Sequence, residues 1–172
     1  MEIIHIKKVS LLEINILEDI SKRSFIETYA SKNTAKNMEA YLTDNFSPSQ
    51  LKKQINDPGS EFYIASINDD AIGYLKINFG SAQTEFKTDN FIEIERIYVL
   101  NDFQGKKIGQ LLCNKAFQIG QQKKADLLWL GVWEENQKAI RFYKKYGFAE
   151  FDKHIFKLGN DDQTDLLMKL KL

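Results

Sequence analysis

The chain has a single cysteine, Cys113, among 172 residues. No internal disulfide can form, and a cytoplasmic location fits. Histidine is almost as scarce. His5 and His154 stand far apart in the sequence, and Cys113 has no ligand-like neighbours, so no metal is expected. Long apolar runs are missing too. Nothing approaches the roughly 18 residues that suggest a membrane span. The first ten residues carry Glu2, Lys7 and Lys8 and lack the apolar stretch of a signal peptide. There is no net charge, because 24 Lys and Arg balance 24 Asp and Glu. A general nucleic-acid binder would show a basic excess, so no nucleic-acid partner is expected. No repeat, low-complexity tract or Pro/Gly/Ser-rich linker interrupts the chain, so residues 1–172 read as one domain.

What is present is a globular composition, 43% hydrophobic and 12% aromatic. The charges are unevenly spread. Residues 1–100 hold 15 acidic and 11 basic residues, a net of −4; residues 101–172 hold 9 and 13, a net of +4. Scatter accounts for this as well as a bipolar molecule does, one half favouring a cationic ligand and the other an anionic one.

Periodicity places a strand over residues 3–7 and a helix over 11–29, through Leu12, Ile16, Ile20 and Phe25. A second helical pattern runs through Met38, Tyr41, Leu42 and Phe46. Ser47-Pro48-Ser49-Gln50 has the form of a capping box with proline in the first helical position, opening a short helix to about Ile55. Strands over 61–67 and 71–79 form a hairpin about Asn68-Asp69-Asp70. Then come a polar loop over 80–90, a strand over 91–100 and an amphipathic helix over 105–123. An almost wholly apolar strand over 127–133 is expected to be buried on both faces. A helix over 136–146 ends at Gly147, and strands follow around 148–157 and 164–172. The order predicts a mixed α/β domain, largely antiparallel in its first half. The alternation Leu166, Met168, Leu170, Leu172 fits either sheet completion or a homodimer contact.

Two stretches carry chemistry. In the first, the strand Glu93-Ile94-Glu95-Arg96-Ile97-Tyr98-Val99 feeds a turn that opens a helix: Gln104, Gly105, Lys106, Lys107, Ile108, Gly109, Gln110. The first N–H groups of a helix have no internal partner, and with the helix dipole they suit an anion such as a pyrophosphate. Lys106 and Lys107 add charge, and the two glycines allow close approach. The second stretch runs from Asn136 to Phe148, with Asn136 at a helix N-cap and Ala139, Phe142 and Tyr143 within the helix. Each stretch alone is compatible with ordinary structure.

Together, in this order, they resemble the GNAT superfamily of N-acetyltransferases. Gln104 to Gly109 matches that family's pyrophosphate-binding turn, except that Lys107 stands at its usual first glycine. Asn136 to Phe148 matches its N-x-x-A-x-x-F-Y-x-x-x-G-F helix almost letter for letter. Residues 42–51, 93–98, 129–134 and 163–166 narrow the resemblance to bacterial PaiA-type spermidine/spermine N-acetyltransferases. The resemblance implies an α/β GNAT fold, a mostly antiparallel sheet flanked by helices with splayed central strands. It implies acetyl-CoA as cosubstrate, with backbone groups of Ile97, Tyr98 and Val99 on the acetyl and pantetheine portion and residues 104–110 on the pyrophosphate. Lys107 would still offer its N–H if its backbone were helical. Asn136 would bind the pantetheine arm, Ala139 would leave room for it, and Tyr143 would stand near the sulfur.

Amine acetylation needs a proton acceptor, an oxyanion donor and a proton source for the thiolate. Strand alternation would put Glu93, Glu95 and Ile97 on one face, with Arg96 and Tyr98 on the other. Glu95 is then the favoured base or relay and Glu93 the second, against the alternative that both merely pair with neighbouring cations. Tyr143 is the candidate acid, and an N–H near Tyr98 or Val99 the oxyanion donor. The expected partner is a small cationic amine, with Phe25, Glu27, Tyr29, Glu39, Tyr41 and Asp44 forming either its wall or ordinary core and solvated face. The alternatives are another amine, such as a protein N-terminus, a lysine or a small antimicrobial, and a non-catalytic acetyl-CoA sensor. Trp129 and Trp133 read as core or interface.

Overall fold

The computed structural model describes residues 3–172; Met1 and Glu2, the start of the segment expected to lack a signal peptide, lie outside it. A seven-stranded sheet runs in the order β1-β2-β3-β4-β5-β7-β6. Its strands are β1 (Ile4–Lys8), β2 (Ser60–Ile67), β3 (Asp70–Phe79), β4 (Phe91–Val99), β5 (Leu127–Trp133), β6 (Ala149–Leu158) and β7 (Asp161–Lys171). Five α-helices accompany it: α1 (Ile14–Tyr29), α2 (Ala35–Phe46), α3 (Pro48–Ile55), α4 (Ile108–Gln122) and α5 (Gln137–Lys145). β4 and β5 are parallel, and every other neighbouring pair is antiparallel. The expected mixed α/β fold is the one found.

Both faces of the sheet are apolar, and each is covered. Leu17, Ile20, Phe25, Phe46 and Leu51 of α1–α3 pack on Phe62, Ile64 and Tyr74. On the other face Ile108, Leu112, Ala116 and Ile140 of α4 and α5 meet Leu75, Ile77, Ile94 and Leu130. Full burial of each large aliphatic side chain contributes about 1.5–3 kcal/mol. Leu166 and Met168 join this second core, and Leu170 and Leu172 pack against it. The C-terminal alternation therefore completes the sheet.

The capping expected at Ser47 is only half formed. Ser47 is the N-cap of α3 and Pro48 opens the helix, but the Ser47 side chain makes no cap bond. Its hydroxyl lies 3.4 Å from that of Ser49 instead, a local competitor for the same oxygen. The reciprocal box forms at Ser10 and Glu13, where Glu13 Oε2 accepts from the Ser10 amide at 2.8 Å.

Two irregularities create an opening. Arg96 is opposite Lys76 while Ile94 is opposite Ile77, so Glu95 is an extra residue in β4, a β-bulge. The bulge breaks the strict alternation expected above. Ile92, Ile94, Ile97 and Val99 face the α4–α5 core. Glu93, Glu95, Arg96 and Tyr98 turn toward α1–α3, where Asn78 bonds both glutamates and Arg96 covers the Phe46 ring at 4.7 Å. The second irregularity is a parting of strands. β4 and β5 pair only as far as Ile94 and Leu130. Beyond them β4 stays with β3 and β5 stays with β7.

Candidate active site

A cavity of about 410 Å³ occupies the gap between the parted strands. Glu95, Ile97, Val99, Gly131 and Trp133 wall it from the sheet; Gly105, Lys107 and Gly109 wall it from the turn before α4, and Asn136, Ala139 and Tyr143 from the α5 segment. The two stretches singled out in the sequence thus meet at one opening.

The α4 end is suited to an anion. Lys107 is the N-cap of α4 and gives no side-chain cap bond. Among the described residues, no amide from residues 105–110 donates a hydrogen bond to the protein. Those open donors sit at the positive end of the helix dipole. Lys107, Lys138 and Lys145 line the same cavity. Lys106 does not; its ammonium lies 4.8 Å from the Phe103 ring centre. Lys138 and Lys145, overlooked in the sequence, are seven residues apart, two helical turns on one face of α5. Gln104 spans the turn, donating to Val99 O at 3.0 Å and to Asn101 Oδ1 at 3.1 Å, while its carbonyl receives Lys138.

The backbone of Lys107 is not helical. Its φ is +66°, and Gly105 is at +83°. The lysine thus adopts the left-handed conformation for which glycine is the usual residue, at a strain of about 1–2 kcal/mol. Lys107→Gly should therefore raise stability by about 0.5–1 kcal/mol in urea denaturation, once the added freedom of the unfolded glycine is deducted. A drop in stability would show that the turn carries no such strain.

Strand β4 offers backbone groups to the gap. Leu100 N donates to Ile72 O, and Val99 is opposite Gly73. Antiparallel alternation then aims the amides of Ile97 and Val99 at the cavity and that of Tyr98 at β3. Tyr98 also borders the cavity, but with its amide toward β3 it is Ile97 and Val99 whose amides face the gap; the Tyr98 side chain points to α1, hydroxyl 3.5 Å from that of Tyr29. On α5, Asn136 Oδ1 caps the helix by accepting from Ala139 N at 3.1 Å. Tyr143 is buried and makes no side-chain hydrogen bond among the described residues. Burial, reinforced by the neighbouring Cys113, pushes its hydroxyl pKa well above the usual phenol range, so it is a donor at neutral pH.

The two glutamates differ. Glu95 borders the cavity, but it is held by Lys76 Nζ at 2.5 Å, Arg96 Nη2 at 3.3 Å and Asn78 Nδ2 at 2.6 Å. Burial raises its pKa, yet the charges of Arg96 and Lys76 and these hydrogen bonds outweigh burial and bring it to about 2. Glu93 lies behind the wall, with both oxygens engaged by Thr84 and one also by Asn78. Burial and the charge of Glu95 raise its pKa. Lys76 and Asn78 were not singled out in the sequence, although polar residues inside the apolar run of β3 are a legible signal of buried partners.

The expected amine wall reduces to Tyr29, which borders the cavity. Phe25 and Tyr41 stack at 4.4 Å within the helical core. Glu27 accepts from Asn101 N at 2.8 Å, and Glu39 and Asp44 are exposed. Trp133 adds a ring to the cavity, whereas Trp129 is core, donating to Gln83 Oε1 at 2.8 Å. Among the described residues no helix is long and apolar enough to cross a membrane.

Comparison with known proteins identifies the family of the chain. Residues 17–148 match the model of the acetyltransferase (GNAT) family. An uncharacterized N-acetyltransferase of Lactobacillus delbrueckii subsp. lactis is 38% identical over 153 residues, covering 89% of this chain and 88% of that protein. A spermidine N(1)-acetyltransferase of Thermoplasma acidophilum is 24% identical over 172 residues, covering 98% and 97%. The crystal structure of a PaiA N-acetyltransferase from Thermoplasma acidophilum, in complex with coenzyme A, superposes with a TM-score of 0.82 at 24% identity, covering 99% of each chain. The ribosomal-protein-S18-alanine N-acetyltransferase of Escherichia coli shares the fold at a TM-score of 0.73 and 14% identity, covering 98% and 94%. The matched family model, together with the 38% identical relative, places this chain in the acetyltransferase (GNAT) family.

Proposed function

We propose that the chain, as one domain over residues 1–172, moves an acetyl group from acetyl-CoA to a polyamine such as spermidine or spermine. The observation that carries this is a single cavity with two unlike ends. One end is lined by open amides and lysines, which fits a pyrophosphate. The other has the rings of Tyr29 and Trp133 and the carboxylate of Glu95, and ring faces attract ammonium groups. The Thermoplasma spermidine N(1)-acetyltransferase supports the choice of amine, and the PaiA structure with coenzyme A supports the choice of donor.

In this reading the amides of residues 105–110 and Lys107 bind the phosphates. Asn136 and Ala139 admit the pantetheine arm. An aliphatic amine has a pKa near 10 and attacks only after losing a proton. The amides of Ile97 and Val99 face the gap and stabilise negative charge that develops on the thioester oxygen. Tyr143 donates to the departing sulfur. With its pKa near 2, Glu95 takes up a proton poorly at neutral pH, so it orients the amine or an intervening water.

Free-thiol release from acetyl-CoA with a panel of amines is the test. Spermidine and spermine should react, and the KM for spermine should rise with salt more steeply than that for a monoamine. If neither polyamine reacts while a peptide N-terminus or another small amine does, the acetyltransferase stands and the polyamine falls. If no amine reacts, a sensor that binds acetyl-CoA without turnover takes its place. Tyr143→Phe should lower kcat about a hundredfold while leaving acetyl-CoA affinity nearly unchanged. Wild-type turnover in that variant would reassign the ring to packing.

A further inference from the structure

A third carboxylate stands behind the open side of β5. Asp165 of β7 is opposite Trp133 of β5 and, across β7, opposite His154 of β6. Its side chain lies across the bare Cα of Gly131; a methyl there would stand 3.2 Å from Asp165 Oδ2. Gly131 and Trp133 both wall the cavity, and Asp165, its side chain 14% exposed, stands directly behind Gly131 because residue 131 has no side chain. Asp165 Oδ1 is buried and has no hydrogen-bond partner among the described residues. Such an orphaned acceptor is costly unless a ligand uses it. Asp165 Oδ2 is 3.6 Å from His154 Nε2, and His154 Nδ1 is 2.6 Å from Glu85 Oε1. Glu134, just beyond β5, and Tyr29 and Tyr41 from α1 and α2 are the other titratable groups that face Asp165. Unlike Glu95, it pairs with no lysine or arginine among the described residues.

We propose that Asp165 is the carboxylate that accepts the proton of the incoming ammonium, with His154 as the residue that positions it. The inference rests on amine acetylation as the reaction. The ammonium N–H bond breaks and its proton passes to the Asp165 carboxylate. The freed nitrogen pair forms the C–N bond as the C–S bond breaks. Tyr143 supplies a proton to the sulfur and is reprotonated by the second amine proton through solvent, and Asp165 then releases the proton it took up. The products are the amide, coenzyme A thiol and one proton. Glu93 has its oxygens engaged and Glu95 is already neutralised, which leaves Asp165, next to the wall residue Gly131, as the carboxylate with free acceptor capacity.

Burial raises the pKa of Asp165, with Glu134 adding to it and His154 opposing, to about 6. Below that value the carboxyl is protonated and cannot accept. The kcat/KM for spermidine should therefore fall as pH drops through about 6. Asp165→Asn should cut kcat/KM at pH 7.5 roughly a hundredfold and abolish this acid limb, with acetyl-CoA affinity by calorimetry unchanged. An arylamine, neutral at that pH, should lose far less. Wild-type kcat/KM with the limb retained in Asp165→Asn overturns the proposal while leaving the acetyltransferase intact. An inert wild type with every amine overturns the transfer reaction and this step with it. If Asp165→Asn does not fold, Gly131→Ala carries the test, because it keeps the carboxyl and sets a methyl against it. It should slow spermidine acetylation roughly tenfold or more at unchanged acetyl-CoA affinity; an unaltered rate overturns the proposal.

Discussion

Gly109→Glu should weaken acetyl-CoA binding by roughly a hundredfold or more in calorimetry, with the fold intact. Gly109 is in the first turn of α4 and walls the cavity. A Cβ there would meet only ordinary contacts, 3.6 Å to the Phe142 ring and 3.9 Å to Val99 Cγ2, so alanine fits. A glutamate is different. Its carboxylate would reach the open amides of residues 105–110 and occupy them from within the chain. It would also face the incoming phosphates as a like charge, a juxtaposition that costs several kcal/mol, and about 2.7 kcal/mol is already a hundredfold. Acidic residues stabilise the first turn of a helix, so lost binding should not come with lost stability. Gly109→Ala separates charge from shape and should bind nearly as the parent does. Unchanged affinity in the glutamate variant would remove this turn as the phosphate site.

Most elements were legible because burial is periodic. The α4 and α5 segments carry apolar residues at helical spacing, and β5 is apolar throughout because helices cover both faces. The partners of the cavity were legible for the same reason: Gly105, Gly109, Asn136 and Tyr143 sit in contiguous motifs. What was not legible depends on register. Residues 93–98 read as a plain alternating strand, and only the pairing with β3 shows that Glu95 is an extra residue. That single slip moves Ile97 away from the glutamates and pairs Glu95 with Lys76. The meeting of Gly131 with Asp165 likewise joins residues from two strands that no spacing rule connects. The left-handed Lys107 could not be inferred from composition, since a lysine seldom takes that conformation.

Glu95→Gln should destabilise the fold by about 3 kcal/mol at pH 7. Glu95 holds two buried cations, Lys76 and Arg96, which are 5% and 7% exposed. Glutamine keeps one acceptor oxygen but no charge, so the two cations are left facing each other. Removing one partner of a buried ion pair typically costs about 3–5 kcal/mol. The pKa gives a matching figure. The fall from 4.5 to about 2 corresponds to about 3 kcal/mol. A carboxylate whose pKa is lowered by folding contributes fully above the unfolded value of 4.5. That contribution fades as pH falls through 4.5 toward about 2, where the native side chain also becomes protonated. Urea denaturation of parent and variant should therefore show a wide gap at pH 7 that shrinks to under half by pH 3. A gap of equal size at both pH values would mean that shape, not charge, makes Glu95 matter. A gap under about 1 kcal/mol at pH 7 would mean that solvent screens the cluster as it does a surface pair. In either case Glu95 would no longer be held at so low a pKa, and the reason for excluding it as proton acceptor would weaken with it.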